Sequence, residues 1–76
     1  MYAIVTKKDS NEIELTWLAD KIELSDGALV CQNESEVTTF EDITSLTHTV
    51  TEFNGSLPSD FQPEGYMLVE GELVKK

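Results

Sequence analysis

The sequence predicts a mainly β domain with at most one short helix, built as a small antiparallel sheet or a partly open barrel of roughly six to eight short strands. Three observations support this prediction. The chain has 76 residues, which is enough for one domain, residues 1–76. Short apolar segments are separated throughout by turn-forming residues, and one segment alternates strictly between apolar and polar side chains.

Four strands are predicted in the N-terminal half of the chain, at residues 2–6, 12–17, 21–24 and 28–32. The second of these alternates, so we expect Ile13, Leu15 and Trp17 to share one buried face. The third and fourth strands flank Asp26-Gly27, a dipeptide that favours a tight hairpin because both residues accept positive φ.

The C-terminal half is predicted to contribute strands at residues 36–40, 47–53, 66–69 and 72–74. The segment after the first of these is ambiguous. Phe40, Ile43 and Leu46 recur every third residue, and Thr38 with Glu41 matches a capping box, so a short helix or 3₁₀ turn is an alternative there.

The last third of the chain contains a loop and a hairpin. Residues 57–63 include two prolines, which cannot donate backbone hydrogen bonds, so we expect an extended loop held by Leu57 and Phe61. Glu70-Gly71 is predicted to turn the final hairpin.

The residues with chemical potential do not form a recognisable catalytic motif. Cys31 and His48 are the only cysteine and the only histidine, so neither an internal disulfide nor a zinc cluster can form. We expect Cys31 to be an unreactive core residue and His48 to be a partly buried structural residue. The chain is therefore predicted not to be an enzyme and to need no cofactor or metal. A deep pocket that joined His48 to a carboxylate and a hydroxyl would favour an enzyme instead.

No segment approaches the roughly 20 apolar residues of a membrane-spanning helix. The first residues also lack the pattern of a signal peptide, because the lysines follow the apolar run. We therefore expect a complete, soluble protein of the cytoplasm.

The unusual feature is charge: fifteen Asp and Glu residues face five lysines, and the net charge is −10. This balance excludes direct binding to nucleic acid and to anionic membranes, both of which require a basic surface. The lysines lie near the two ends of the chain, at Lys7, Lys8, Lys21, Lys75 and Lys76. Residues 22–74 contain none.

An acidic surface of this kind can meet a protein with a basic surface, because complementary fields speed association. The predicted partner-binding residues form two groups, one of Glu34, Glu36, Glu41 and Asp42, the other of Glu64, Tyr66, Glu70 and Glu72. If both groups face one way, Tyr66 or Phe61 would be the apolar anchor between them, since both are expected to be partly exposed.

A sharper version of this hypothesis is mimicry of DNA. Alternate strand residues project to one side about 6.6 Å apart, a spacing comparable to that of adjacent phosphates. The candidate pairs are Glu12/Glu14, Glu34/Glu36 and Glu70/Glu72. Alternatively, these acids are solvated strand faces that prevent aggregation between sheet edges.

In size, charge and lack of arginine, the chain resembles the short acidic open reading frames of bacteriophages, many of which inhibit a host protein. The resemblance implies a protein that binds and inhibits a host protein, and it assigns no residue a role. Together with the predicted lack of catalysis and the mimicry hypothesis, it leads to a non-catalytic inhibitor of a host protein that handles nucleic acid. The alternative function is that of a minor structural or assembly component acting as a homo-oligomer. The sequence leaves the oligomeric state open.

Overall fold

The computed structural model describes all residues, 1–76, and confirms a mainly β fold. The strands are β1 (Tyr2–Lys7), β2 (Ile13–Leu18), β3 (Lys21–Leu24), β4 (Leu29–Gln32), β5 (Val37–Phe40), β6 (His48–Phe53), β7 (Tyr66–Val69) and β8 (Glu72–Lys75). They form three antiparallel sheets, and there is no closed barrel. We call β2-β1-β6 the central sheet, β3-β4-β5 the second sheet and β7-β8 the hairpin.

Strand β1 lies at the centre of the fold and is buried on both faces. Ala3, Ile4 and Val5 are all fully buried. Ala3 and Val5 belong to a core cluster whose other members are Ala19, Leu29, Cys31 and Ile43. Ile4 instead packs with Ile13 and Tyr66. Because successive strand residues point to opposite faces, the central sheet is covered by the second sheet on one side and by the hairpin on the other.

A β-bulge in β2 overturns the predicted alternation of that strand. Val5 lies opposite Leu15, but Thr6 lies opposite Ile13, so Glu14 is an extra residue without a partner on β1. A bulge moves the following side chains to the other face of the sheet. Leu15 therefore packs on the second-sheet side and Ile13 on the hairpin side, and the prediction that they share a face is wrong.

The β3–β4 hairpin is confirmed, but its turn differs from the expected one. Neither Asp26 nor Gly27 has a positive φ. Instead, the Ser25 hydroxyl accepts hydrogen bonds from the N–H groups of Gly27 and Ala28, both at 3.3 Å. A serine hydroxyl thus organises a turn that the sequence assigned to the left-handed preference of Asp-Gly.

The final hairpin follows the sequence prediction. Glu70 and Gly71 adopt φ values of 50° and 84°, as a two-residue turn with two left-handed positions requires. The only helical segment is a 3₁₀ turn at Pro63–Gly65, whereas residues 41–47 form turns and no helix. Leu57 and Phe61 are both partly buried in the preceding loop, as expected.

Candidate functional site

The structure separates the two predicted groups of carboxylates. The first group, Glu34, Glu36, Glu41 and Asp42, flanks β5 in the second sheet. The second, Glu64, Glu70 and Glu72, lies on or just before the hairpin. All seven side chains are exposed, but their sheets cover opposite faces of the central sheet. The two groups therefore do not form one face with an aromatic anchor between them.

Tyr66 is a buried structural residue, so the expectation that it is partly exposed is wrong. It is 7% exposed, and its ring lies 5.4 Å from that of the partly buried Phe61. Its hydroxyl donates a 2.6 Å hydrogen bond to Asp60, whose other oxygen accepts one of 2.9 Å from Lys75. These two donors lower the pKa of Asp60, and the carboxylate raises the pKa of both Tyr66 and Lys75. The three residues form a polar clamp between the loop and the hairpin.

Most carboxylates have no cationic partner. Lys75 and Asp60 form the one lysine–carboxylate ion pair, and Glu14 is paired with His48. Lys8 donates to the carbonyl of Ser45 at 2.6 Å and not to an acid. The lysines are therefore not distributed as counter-ions, and the acids around β5 keep their negative charge uncompensated.

Strands β2 and β5 are neighbouring sheet edges that are not hydrogen-bonded to each other. We call the groove between them the seam. One end of the seam is closed, because the Asn33 side-chain amide donates to the Leu18 carbonyl at 3.1 Å and the Asp20 N–H donates to the Gln32 carbonyl at 2.8 Å. From that end the seam runs along β5 toward Phe40 as two shallow depressions.

An aromatic pair lies along the seam. The rings of Trp17 and Phe40 meet edge to face, with their centroids 5.1 Å apart. Trp17 is 37% exposed, so the prediction that it belongs to the core is wrong. Glu36 lines the depression near the closed end, and Glu14, Glu41 and Asp42 line the other. No lysine lines either depression, so an apolar floor lies between two acidic ends.

His48 links a carboxylate to a hydroxyl, an arrangement that the sequence did not predict. Its Nε2 lies 3.0 Å from a Glu14 oxygen and its Nδ1 lies 2.7 Å from the Thr47 hydroxyl. A catalytic triad has the same three kinds of group, but there the hydroxyl bonds Nε2 and the carboxylate bonds Nδ1, which is the reverse of this arrangement. In addition, neither Thr47 nor His48 lines any depression of the surface, and the Thr47 hydroxyl also lies 3.2 Å from that of Thr44. His48 is 8% exposed, which confirms its predicted burial, and it fastens β6 to the bulge.

The regular strand spacing that the sequence predicted for the three candidate carboxylate pairs is absent. Glu34 lies in the turn before β5, and Glu70 occupies a left-handed position in the hairpin turn. Glu14 is the bulge residue of β2. None of the three candidate pairs therefore lies on a regular strand, and the argument from alternate strand residues is wrong for each of them.

The remaining chemical groups are consistent with a structural role. Cys31 lies in the core, and burial raises the pKa of its thiol. No three His, Cys, Asp or Glu side chains are grouped so that they could hold a metal ion. No helix of the structure has the length and apolar character needed to cross a membrane.

Comparisons with protein-family models, curated proteins and solved structures give no match to this chain. The functional argument therefore depends on the geometry of the seam and on the charge around it.

Proposed function

We propose that the chain is a non-catalytic protein-binding module, which presents the carboxylates around β5 to a protein with a basic surface. The observation that carries the proposal is the coincidence of two features at the seam. Glu36, Glu41 and Asp42 are exposed and have no cationic partner, and the Trp17–Phe40 pair lies between them.

The two features contribute differently to binding. Uncompensated charge accelerates association with an oppositely charged surface and selects against acidic partners. Charge alone adds little affinity, which comes mainly from a few well-packed aromatic or apolar contacts. Trp17 is the exposed aromatic side chain at the seam, and the exposed Leu18 lines the same depression. The seam therefore offers both parts of a binding site.

The sharper hypothesis is that the partner handles nucleic acid and that the carboxylates occupy the place of phosphates, as in a phage-type inhibitor. Its support is the net charge of −10 and the resemblance in size and composition. A captured partner that binds DNA provides the test. If the hypothesis holds, the wild-type protein will displace a labelled duplex from that partner, and a variant without the charges around β5 will not.

The main proposal is tested with matched variants. One variant carries Glu36→Gln, Glu41→Gln and Asp42→Asn, and its control carries Glu64→Gln, Glu70→Gln and Glu72→Gln. Both lose three charges, but only the first loses them at the seam. Immobilised wild-type protein is used to retain partners from lysate at low salt, and the association rate of the purified partner is then measured by surface plasmon resonance.

We expect the first variant to associate at least about tenfold more slowly and with a flatter dependence on salt, because it has lost the local field. The control should change much less. Equal slowing by both variants would show that only net charge matters and would contradict a site at the seam. A stable homo-oligomer in light scattering that retains no partner would favour the structural function instead.

A further inference from the structure

We propose that the free edge of β5 accepts an extended segment of the partner as an added strand, and that this segment has β-branched or apolar residues at its centre and Lys or Arg at both ends. This inference depends on the proposed function and specifies how the partner binds. Addition of a strand to an exposed sheet edge is a common mode of peptide recognition.

The outer edge of β5 has unused backbone groups. β5 pairs only with β4, and the Asn33 N–H donates to the Glu36 carbonyl at the turn that joins them. Hydrogen-bonded and non-hydrogen-bonded pairs alternate along an antiparallel ladder. Thr38 and Phe40 therefore bond to β4, whereas the N–H and C=O groups of Val37 and Thr39 point away from it. No hydrogen bond of a turn, loop or side chain involves those two residues.

β5 also lacks the features that normally keep a sheet edge from pairing. Native edges are protected by charged residues, proline or a bulge. Most other edge strands have such features, namely the bulge at Glu14 in β2, Lys21 and Glu23 in β3, Glu52 in β6, and Glu72 and Lys75 in β8. The outer edge of the uncharged strand β7 is instead occupied in part by a bridge between Met67 and Glu12. β5 consists of Val37, Thr38, Thr39 and Phe40, and it contains no charge, proline or register shift.

The surroundings of the edge define the chemistry of the occupant. Four residues of β5 span about 13 Å, so the paired part of the segment has about four residues. Its inward side chains would lie over Trp17 and Phe40, which favours apolar or β-branched residues at the centre. Glu36 lies beyond one end of β5, and Glu41 and Asp42 lie beyond the other, which favours Lys or Arg at both ends.

The same charges disfavour a second copy of this chain as the occupant. Two β5 strands paired antiparallel would bring Glu36 of one copy close to Glu41 or Asp42 of the other. Like charges placed opposite each other destabilise strand pairing. No lysine lines either of the two depressions along β5, so none offsets that repulsion there.

The test uses a synthetic peptide, acetyl-Lys-Lys-Val-Thr-Val-Thr-Lys-Lys-amide. Two controls have the same charge: a peptide of the same composition in the order Lys-Lys-Lys-Lys-Val-Val-Thr-Thr, and the test peptide with N-methyl groups on its four central residues. The N-methyl groups remove the backbone donors without changing the charge. Binding is followed by amide chemical shifts of the ¹⁵N-labelled protein at low ionic strength.

We expect the test peptide to shift the amide signals of Val37 and Thr39 most strongly, and to bind at least about tenfold more tightly than either control. Thr39→Pro should abolish the difference, because it removes an outward donor at a position where an edge strand tolerates proline. Glu52→Pro is the matched control. By the same alternation, Glu52 points outward on the free edge of β6, and its replacement also removes a charge.

The outcomes separate strand addition from the proposed function. If all three peptides bind equally and salt weakens all of them, strand addition is overturned and the charge-based function stands. If no peptide binds and the seam variant still captures the partner at the wild-type rate, both are overturned. A dimer that forms at working concentration and disappears in Thr39→Pro would show that a second copy occupies the edge, which also overturns the inference.

Discussion

The two faces of the central sheet are covered in different ways. On the hairpin side, Ile4, Ile13 and Tyr66 form a small core, and the Asp60–Tyr66–Lys75 clamp closes its rim. On the second-sheet side the core is larger, but the seam between β2 and β5 stays open and Trp17 is partly exposed. On the hairpin side the Asp60 carboxylate is part of the clamp, whereas none of the carboxylates beside β5, Glu34, Glu36, Glu41 and Asp42, has an ion-pair partner.

Because of this difference, carboxylate side chains have different surroundings in the two regions of the chain. Asp60 has a tyrosine and a lysine within hydrogen-bond distance. Glu41 and Asp42 have no such partner. Unpaired like charges oppose compaction, so keeping several of them around an open groove is a cost to stability that binding can offset.

The largest expected effect is the loss of stability when a buried side chain of either core is truncated. It shows whether the two cores unfold as one cooperative unit. Leu29→Ala on the second-sheet side and Ile4→Ala on the hairpin side should each lower the free energy of unfolding by about 2–5 kcal/mol, because both side chains are fully buried. β1 joins the two cores, so chemical denaturation followed by tryptophan fluorescence and by far-UV circular dichroism should give one coincident transition.

Leu46→Ala serves as the control, since Leu46 is 75% exposed, and it should change stability by no more than about 0.5 kcal/mol. If Ile4→Ala leaves the fluorescence transition of Trp17 unchanged while circular dichroism detects an earlier one, the hairpin side unfolds separately. The two sides of the central sheet would then be independent folding units.

The next largest effect is the loss of thermal stability when the charge of the clamp is removed. Asp60→Asn should lower the melting temperature by a few degrees at neutral pH, because it removes the charge that Tyr66 and Lys75 stabilise. The pKa of Asp60 is lowered on folding, so its contribution is present above the ordinary aspartate pKa and is lost as the pH falls through the lower, folded value. The wild type and the variant should therefore differ at neutral pH and converge in acid.

Glu64→Gln, a neighbouring exposed carboxylate without an ion-pair partner, is the control and should melt as the wild type does. At the alkaline end, the pKa of Lys75 is raised, so its contribution is present below the ordinary lysine pKa and is lost as the pH rises through the folded value. Melting curves of Asp60→Asn that run parallel to the wild type across the acid range would show that the clamp does not act through this charge.

The sequence alone predicted the positions of the strands, but not the face of the sheet to which each side chain points. Turn residues and short apolar runs placed all eight strands to within about two residues, because these are local preferences. The bulge at Glu14 depends on which strand lies beside β2, and it reverses the face of Ile13. No pattern within β2 distinguishes that arrangement from simple alternation.

Of the candidate site, the sequence predicted only the negative charge and not the geometry. Counting residues showed that the acids around β5 lack nearby lysines in sequence. The contact between Glu14 and His48 joins residues 34 positions apart, and the burial of Tyr66 depends on Asp60 and on the hairpin. The sequence contained one local signal for the seam that the sequence analysis missed, which is that Val37–Phe40 is a strand without any charged residue.

The smallest expected effect is the response of stability to salt. Raising the ionic strength from about 0.01 M to about 0.15 M shortens the Debye length from about 30 Å to about 8 Å, which screens repulsion between the unpaired carboxylates. The melting temperature of the wild type should therefore rise by a few degrees. The Glu36→Gln, Glu41→Gln, Asp42→Asn variant should start higher and rise less. Sodium chloride is the appropriate salt, because sulfate also strengthens apolar burial. A melting temperature that stays constant or falls would mean that the charge around β5 is compensated in the folded chain. The two sides of the central sheet would then differ only in their packing.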